Sequence, residues 1–277
     1  MNSNSWMDQL SFTITFLKIS EVKPHEEIIE KNTSELIKSI KKDGVQIDPV
    51  IVDKNTNVAL DGMHRISALR AIDAKRIMVA KVDYFDEKIK VHRWLRAVRN
   101  FSMALLDELK VVFELKKAAS QLEAMQAVDN EKSPIAILVG NVGYFSSLNA
   151  TGFERFNLIR EFDKRIKEYS GIMEKEIEQY LNNGFLILYV KKPEKEEVIK
   201  AGLTGTLFPP KSTRHVIPFR PVNLRCPLEL LSGKFNDQEA YEILSRLIEL
   251  SPKKVLPPYS IYAGRIYEEE LVLYNNS

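Results

Sequence analysis

The pattern of hydrophobic and polar residues near the N-terminus first has the period of a strand and then that of a helix. Residues 12–16 read Phe-Thr-Ile-Thr-Phe, which is the two-residue alternation of a half-buried strand. Asn32 with Glu35 three residues later is typical of a capping box, and Gly44 ends the apolar stripe that follows. We therefore predict that a strand and a helix open the first folded unit.

Several short apolar segments follow, separated by turn residues. They predict a strand at 49–53, its hairpin partner at 58–60, a helix at 64–72 and a strand at 77–82. Together with the opening strand and helix, these segments form a small α+β unit at about residues 11–85.

The middle of the chain is more helical. Residues 102–128 carry a helical pattern, and the apolar run at 135–139 suits a strand. A long helical region at 154–181 is interrupted at Ser170 and Gly171, and 185–190 predicts a buried strand. Pro193 is expected as the first residue of a helix that Gly202 ends. We interpret residues 101–205 as a second α/β lobe inserted after a first unit at 1–100.

The last third of the chain is poor in periodicity. Residues 204–231 contain five of the twelve prolines, which indicates a long ordered loop with short extended pieces. Arginines and a histidine alternate there with apolar residues, which favours a functional loop. One amphipathic helix is predicted at 237–250, and we assign no structure to the tail. We expect residues 206–277 to return to the site of the first unit.

Composition and charge exclude several classes of protein. Lys and Arg number 40 against 38 Asp and Glu, so the net charge of +2 does not favour nucleic acid as a partner. The single cysteine, Cys226, cannot form an internal disulfide, and no Cys/His cluster has zinc-ligand spacing. Residues 1–9 lack the features of a signal peptide, and no apolar run approaches membrane-spanning length. We expect a cytoplasmic protein without a membrane partner.

The most informative motif is Asp-Gly-Met-His-Arg at 61–65, between a predicted strand and a predicted helix. Gly62 allows backbone N–H groups to approach an anion, and His64 and Arg65 add donors at a helix N-terminus, so the turn suits a phosphate. Asp61 would repel a phosphate. It fits better if it holds Mg²⁺ or orients a cationic side chain, and the simpler alternative is that it only caps the helix.

Two further polar clusters carry groups that titrate or bind an oxyanion. Residues 23–26 read Lys-Pro-His-Glu, where Pro24 restricts the backbone and Glu26 is a candidate general base. Residues 211–215 read Lys-Ser-Thr-Arg-His, a dense set of donors for a phosphate or a carboxylate. Taken singly, Glu26 could be a solvated charge and the second cluster an exposed basic loop.

Together, the three clusters describe phosphoryl transfer. In this reaction the protein positions two substrates, neutralises charge and supplies one base for the attacking hydroxyl. The chain has no Walker glycine-rich loop and no protein-kinase signature, so any kinase activity would use a different scaffold.

The first 85 residues resemble the ParB/sulfiredoxin-like fold, and the chain as a whole resembles the archaeal free L-serine kinases. That family uses ADP or ATP to make O-phospho-L-serine. Four ordered motifs carry the resemblance: Lys-Pro-His-Glu at 23–26, Asp-Gly-Met-His-Arg at 61–65, Asp-Tyr-Phe-Asp-Glu at 83–87 leading to Trp94, and Lys-Ser-Thr-Arg-His-Val-Ile-Pro at 211–218.

The resemblance implies a role for each matching position. Glu26 would be the catalytic base for the serine hydroxyl, and Asp61 would assist near Mg²⁺ and the transferred phosphate. The residues implied to bind the nucleotide phosphates are Gly62, Met63, His64 and Arg65. The residues implied to line the serine or phosphate pocket are Ser39, Trp94, Thr213, Arg214 and His215.

One departure from the family pattern is visible, and two alternatives stay open. The family turn often reads Asp-Gly-His-His-Arg, whereas this chain has Met63, so nucleotide preference or rate differs if that histidine acts through its side chain. A sulfiredoxin would need a cysteine in this turn. A ParB-like DNA-binding or regulatory protein could use the same nucleotide site as a switch, although we see no helix-turn-helix and no strongly basic helix. The sequence does not indicate the oligomeric state.

Overall fold

The computed structural model describes residues 12–166 and 168–275, so the polar residues 1–9 lie outside the described part of the chain. The chain folds as two compact units. The first is formed by the residues up to Lys90, by Lys195–Pro210 and by the residues from His215 onward. The second is formed by Val91–Glu194 and Lys211–Arg214.

The N-terminal part of the first unit is a four-stranded sheet with two helices. Its elements are β1 (Phe12–Lys18), α1 (Glu30–Asp43), β2 (Val45–Gln46), β3 (Val50–Asp53), β4 (Ala59–Asp61), α2 (Met63–Ala71) and β5 (Arg76–Val82). The sheet order is β1-β5-β3-β4, in which β3 and β5 are parallel and the other neighbours antiparallel. Helices α1 and α2 pack against each other. The mixed sheet and helices confirm the predicted α+β class.

Strand β6 (Lys90–Arg93) carries the chain into the second unit, which is built on a six-stranded antiparallel sheet. Its elements are β7 (Leu95–Val98), α3 (Met103–Val112), β8 (Leu115–Lys117), α4 (Gln121–Asp129), β9 (Ile135–Val139), β10 (Val142–Ser146), α5 (Arg155–Arg165), β11 (Ser170–Ile172), α6 (Ile177–Asn182) and β12 (Leu186–Val190). The strand order is β11-β7-β12-β9-β10-β8. Strand β12 is buried along its length, as its uninterrupted apolar sequence predicts.

The C-terminal part of the chain completes the first unit, apart from Lys211–Arg214, which belong to the second. Its elements are α7 (Lys195–Thr204), β13 (Thr213–Val216), β14 (Arg220–Val222), β15 (Cys226–Pro227), α8 (Leu228–Leu231), α9 (Asp237–Leu250), β16 (Lys253–Leu256), β17 (Ile261–Tyr262), β18 (Arg265–Ile266) and β19 (Leu271–Tyr274). Strands β14, β19 and β16 form a sheet in that order, β15 pairs with β2, and β17 pairs with β18. The residues to which we assigned no structure therefore form strands.

Four predicted elements differ from the structure. Helix α1 begins at Glu30 and not after Asn32, because the backbone N–H of Ile29 is held by His64. The helical pattern at 102–128 is two helices separated by β8. The helical region at 154–181 is also two helices, α5 and α6, with strand β11 at the predicted interruption at Ser170 and Gly171. Helix α7 starts two residues after Pro193 and runs past Gly202, which lies in close contact with Val58.

The units divide at Lys90 and Glu194, ahead of the predicted boundaries at 100 and 205. The physical reason is that β7 pairs within the second sheet, whereas α7 belongs to the first unit. None of the helices in the described ranges is long and apolar enough to cross a membrane.

Candidate active site

The turn at 61–65 joins β4 to α2 and requires glycine at its second position. Gly62 has a φ of 101°, in the left-handed region, and a Cβ atom there would lie 2.9 Å from Cγ2 of Val50. The N–H of Ile66 donates to the carbonyl of Gly62, so the N–H groups of residues 63–65 precede the first bond of the helix. These groups form the helix N-terminus that the sequence predicts as an anion site.

Asp61 does not cap α2; it is held between two arginines. Its Oδ2 accepts hydrogen bonds from Nη2 of Arg65, at 3.0 Å, and from Nη1 of Arg220, at 2.9 Å. Burial alone would raise the pKa of Asp61, but the charges of Arg65, Arg220 and Arg265 outweigh burial and hold the pKa well below its usual range. The carboxylate is therefore ionised and orients cationic side chains, which was one of the predicted roles.

Arg220 is a site residue that the sequence reasoning noted but did not select. It is 3% exposed, and its Nε donates to Oε1 of Glu269 at 2.8 Å. Its Nη2 donates to the carbonyl of His215 at 2.8 Å. The three bonds join β14 to Asp61 on strand β4, to His215 and to Glu269 in the segment before β19, and all four residues are in the first unit.

The segment at 23–27 is fixed on both sides by backbone hydrogen bonds. Lys23 donates to the carbonyl of Asn57 and accepts from the N–H of Ala59, next to the phosphate turn. Farther along the segment, the N–H of Phe208 donates to the carbonyl of His25, and the N–H of Glu27 donates to the carbonyl of Phe208. Glu26 thus lies on a rigid extended segment that is tied to strand β4.

His25 is a neutral neighbour of Glu26. Its Nδ1 donates to the carbonyl of Ala59 at 2.5 Å, and its Nε2 lies 3.9 Å from Oε2 of Glu26. Burial lowers the pKa of His25 to about 4, so the ring is uncharged at neutral pH. With the proton on Nδ1, the ring presents a lone pair to Glu26 and does not neutralise its carboxylate.

His64 connects the phosphate turn to helix α1. Its Nε2 accepts the N–H of Ile29, the N-cap of α1, at 3.0 Å. In the neutral ring the proton is then on Nδ1, which is the nitrogen able to donate to a phosphate. Met63, the other predicted phosphate residue beside it, is 8% exposed, so its side chain packs in the core and only its backbone N–H suits an anion.

His215 and Tyr84 bring the other two motifs to the same cluster. The Tyr84 hydroxyl lies 2.8 Å from Nε2 of His215. Burial raises the pKa of Tyr84, while burial and the charges of its neighbours hold the pKa of His215 well below its usual range. The tyrosine hydroxyl is therefore the donor and the histidine the acceptor. The ring of His215 also hydrogen-bonds to the backbone of Leu60 and packs edge-on against His25, with ring centroids 5.5 Å apart.

The predicted serine-pocket residues are divided between the two units. Trp94, Thr213 and Arg214 belong to the second unit, where the Arg214 guanidinium lies 5.1 Å from the Trp94 ring centroid. His215 belongs to the first unit. Ser39 is exposed on α1, and its hydroxyl donates to Asp43 in the same helix, so the structure does not bring it to the phosphate turn.

A protein-held Mg²⁺ does not fit the residues around Asp61. Among the described residues there is no group of three or more His, Cys, Asp or Glu side chains that could hold a metal ion. The charges of Arg65, Arg220 and Arg265 act on Asp61 and would repel a cation. The same three guanidinium groups favour an anion, which agrees with a phosphate site.

Comparisons with known proteins find L-serine kinases and a ParB-like protein, although no family model matches the chain. It is 28% identical to the ADP-dependent L-serine kinase SerK of Thermococcus kodakarensis, over 78% of this chain and 92% of the relative. It is 25% identical to an ATP-dependent L-serine kinase of Staphylothermus marinus, over 78% of this chain and 90% of the relative. A ParB-like protein of Sulfolobus acidocaldarius is 26% identical over 76% of this chain and 93% of the relative.

Structural comparison gives the same answer. The chain superposes on a free serine kinase in complex with AMP with a TM-score of 0.66 and 26% identity, covering 79% of this chain and 93% of that one. The match therefore extends over both the fold and the sequence. These findings confirm the resemblance to the free L-serine kinases that the four motifs predict.

Proposed function

We propose that this protein is a free L-serine kinase, which transfers a phosphoryl group from ADP or ATP to the hydroxyl of L-serine and forms O-phospho-L-serine. The observation that carries the proposal is a cluster in the first unit that joins residues of three motifs beside the phosphate turn. His215 contacts His25 and Tyr84, and the two histidines bond to the backbone of Leu60 and Ala59, just before Asp61. The similarity to L-serine kinases that use ADP and ATP supports the same conclusion.

Glu26 is the proposed general base. Its backbone is fixed on both sides by hydrogen bonds, and a carboxylate held in a fixed position can accept the proton of a substrate hydroxyl. The serine hydroxyl oxygen attacks the terminal phosphorus of the nucleotide as its proton passes to Glu26. The bond from that phosphorus to the bridging oxygen breaks, and the shortened nucleotide leaves with the bond electrons.

The phosphate turn stabilises the charge that develops in this step. Backbone N–H groups of Gly62, Met63 and His64 and the guanidinium of Arg65 would contact the nucleotide phosphates. Asp61 orients Arg65 and Arg220 and does not itself touch the phosphate in this proposal. Groups held in position in advance are effective here, because they need no reorganisation during the reaction.

Three further assignments belong to the proposal. Mg²⁺ would arrive with the nucleotide, since phosphoryl-transfer sites commonly bind this ion largely through substrate phosphates. His215, which lies in the cluster of the first unit, would contact the amino acid. We also propose a cytoplasmic location, where ADP and ATP are available, and a product that enters amino-acid metabolism.

The proposal is tested by mixing the purified protein with Mg²⁺, L-serine and either ADP or ATP, and following O-phosphoserine by ³¹P NMR. We expect O-phosphoserine to form only when L-serine is present. The nucleotide, ADP or ATP, that yields this product is the phosphoryl donor. D-Serine, threonine and a sample without amino acid are the controls. Nucleotide binding without phosphoserine would overturn the kinase proposal and favour a ParB-like regulatory protein.

A further inference from the structure

We infer that Glu269, near the C-terminal end of the described chain, is a positioning residue of the active site and acts by fixing Arg220 in the orientation that serves phosphoryl transfer. The inference rests on the proposed kinase function. No motif in the sequence singles out Glu269, which is the middle member of the run Glu268-Glu269-Glu270.

The Arg220 guanidinium is held by three separate hydrogen bonds. Its Nε, Nη1 and Nη2 each donate to a different acceptor: Glu269 at 2.8 Å, Asp61 at 2.9 Å and the carbonyl of His215 at 2.8 Å. An arginine has five N–H groups, so these three bonds leave one N–H on Nη1 and one on Nη2 to meet an oxyanion. Glu269 accepts the hydrogen bond from Nε and thereby fixes which nitrogen of the guanidinium faces Asp61.

Glu269 is a buried carboxylate. It is 3% exposed, and its Oε1 also lies 3.4 Å from the N–H of Ile217. A buried ion pair contributes little net stability compared with apolar residues of the same size, so stability alone does not explain a carboxylate here. Such a pair does define a unique orientation for both partners, and that is what a preorganised site requires.

Glu269 also contributes to the charge balance around the phosphate turn. Arg65, Arg220 and Arg265 all act on Asp61. Asp61 and Glu269 together neutralise two of these three positive charges, so the cluster keeps one net positive charge for an anionic substrate. Without Glu269, Arg220 would keep Asp61 as its only carboxylate partner in this cluster and could turn toward it.

The test compares turnover and nucleotide affinity in Glu269→Ala and Glu269→Gln. Glu269→Ala removes the acceptor of Nε, and a displacement of a positioning group by about 1 Å can cost about 100-fold in rate, so we expect kcat to fall by about 10- to 100-fold. Nucleotide Kd by calorimetry should change by less than about threefold. Glu269→Gln keeps an acceptor oxygen and should restore most of the turnover.

Two controls separate positioning from a purely structural role. Glu270→Gln changes the adjacent carboxylate, which is not bonded to Arg220, and should leave kcat unchanged. In an Arg220→Gln background, Glu269→Ala should cause no further loss of turnover, because the two residues act as one unit. A variant that only unfolds more easily would keep the wild-type kcat at temperatures where it is folded, and that result would overturn the inference.

A spectroscopic readout keeps this inference separate from the kinase proposal. In protein with ¹⁵N-labelled arginine, the Nε–H signal of Arg220 should be protected from exchange in the wild type and in Glu269→Gln, and lost in Glu269→Ala. If the wild type makes no phosphoserine, the kinase proposal fails while this signal still reports the position of Arg220. An unchanged Arg220 signal in Glu269→Ala would overturn the inference whatever the activity.

Discussion

Glu26 and Glu27 are neighbouring carboxylates with different surroundings. Glu26 follows His25 directly, and its carboxylate lies 3.9 Å from the ring Nε2 of this uncharged histidine. Glu27 donates its backbone N–H to the carbonyl of Phe208. The pair therefore offers a test of one catalytic carboxylate against a matched neighbour.

We expect Glu26→Gln to lower kcat by about two to four orders of magnitude, because the amide cannot accept the proton of the serine hydroxyl. Nucleotide affinity should be nearly unchanged, since the phosphate turn remains intact. Steady-state kinetics and calorimetry measure the two quantities. Glu27→Gln is the control and should retain turnover. A loss of nucleotide binding in Glu26→Gln would instead assign Glu26 a structural role.

At the residue scale, the sequence predicts groups that lie in compact motifs better than groups that act from a distance. The turn at 61–65 is recognisable because five consecutive residues carry its chemistry. Arg220 was visible only as one of several arginines in a proline-rich segment, and Glu269 as one of three adjacent glutamates. Their importance depends on a contact between positions 220 and 269, which no local pattern encodes.

Helix α7 shows how one packing contact decides an element's position. A Cβ atom at Gly202 would lie 2.6 Å from Cγ1 of Val58, the residue that precedes β4. This contact explains why the helix tolerates a glycine in its last turn. It also places α7 against the strand that holds the 23–27 segment.

We expect Gly202→Ala to destabilise the protein by about 1–2 kcal/mol. Alanine gains up to about 1 kcal/mol in helix propensity, but overpacking a filled site costs about 1–3 kcal/mol, and a contact this short belongs at the upper end. Urea unfolding measures the change. Leu203→Ala, at an exposed position of the same helix, is the control and should change stability by less than about 0.5 kcal/mol. A more stable Gly202→Ala would contradict this packing argument.

At the element scale, periodicity predicts long segments and misses short ones. Strand β1 and helix α9 were predicted because their apolar period extends over several residues. Strands β17 and β18 have two residues each, too few to show any alternation. Strand β19 pairs in parallel with β14, about fifty positions earlier, so its stability depends on a distant partner.

For the whole molecule, two buried neutral histidines imply sensitivity to acid. The folded-state pKa of His25 is about 4, below the value of 6.5 for an exposed histidine, and that of His215 is lowered in the same direction. Between these values the unfolded chain binds more protons than the folded one, so stability falls as the pH falls. Asp61, whose pKa is also lowered, adds a loss only at more acidic pH, below its unfolded value of 3.8.

We therefore expect the free energy of unfolding to be nearly independent of these groups above pH 6.5 and to fall between pH 6.5 and 4. Each histidine should contribute about 1.4 kcal/mol per pH unit in this window. Urea unfolding at several pH values measures the slope. The His25→Asn variant should be less stable at pH 7. Its free energy of unfolding should fall less steeply with decreasing pH, because about one fewer proton is taken up on unfolding. A flat curve down to pH 4.5 would contradict the buried neutral state.

The discontinuity of the first unit has a consequence for synthesis on the ribosome. Most of the second unit is one continuous segment, Val91–Glu194, and can fold as soon as it has emerged. The first unit cannot complete its folding until β14 and β19 have been synthesised, and these strands pair across about fifty residues. Because Arg220 and Glu269 follow Val91–Glu194 in the sequence, the contacts of Arg220 with Asp61 and Glu269 can form only after the segment that contains Glu269 has been made. A chain that terminates before Glu269 would therefore lack these contacts.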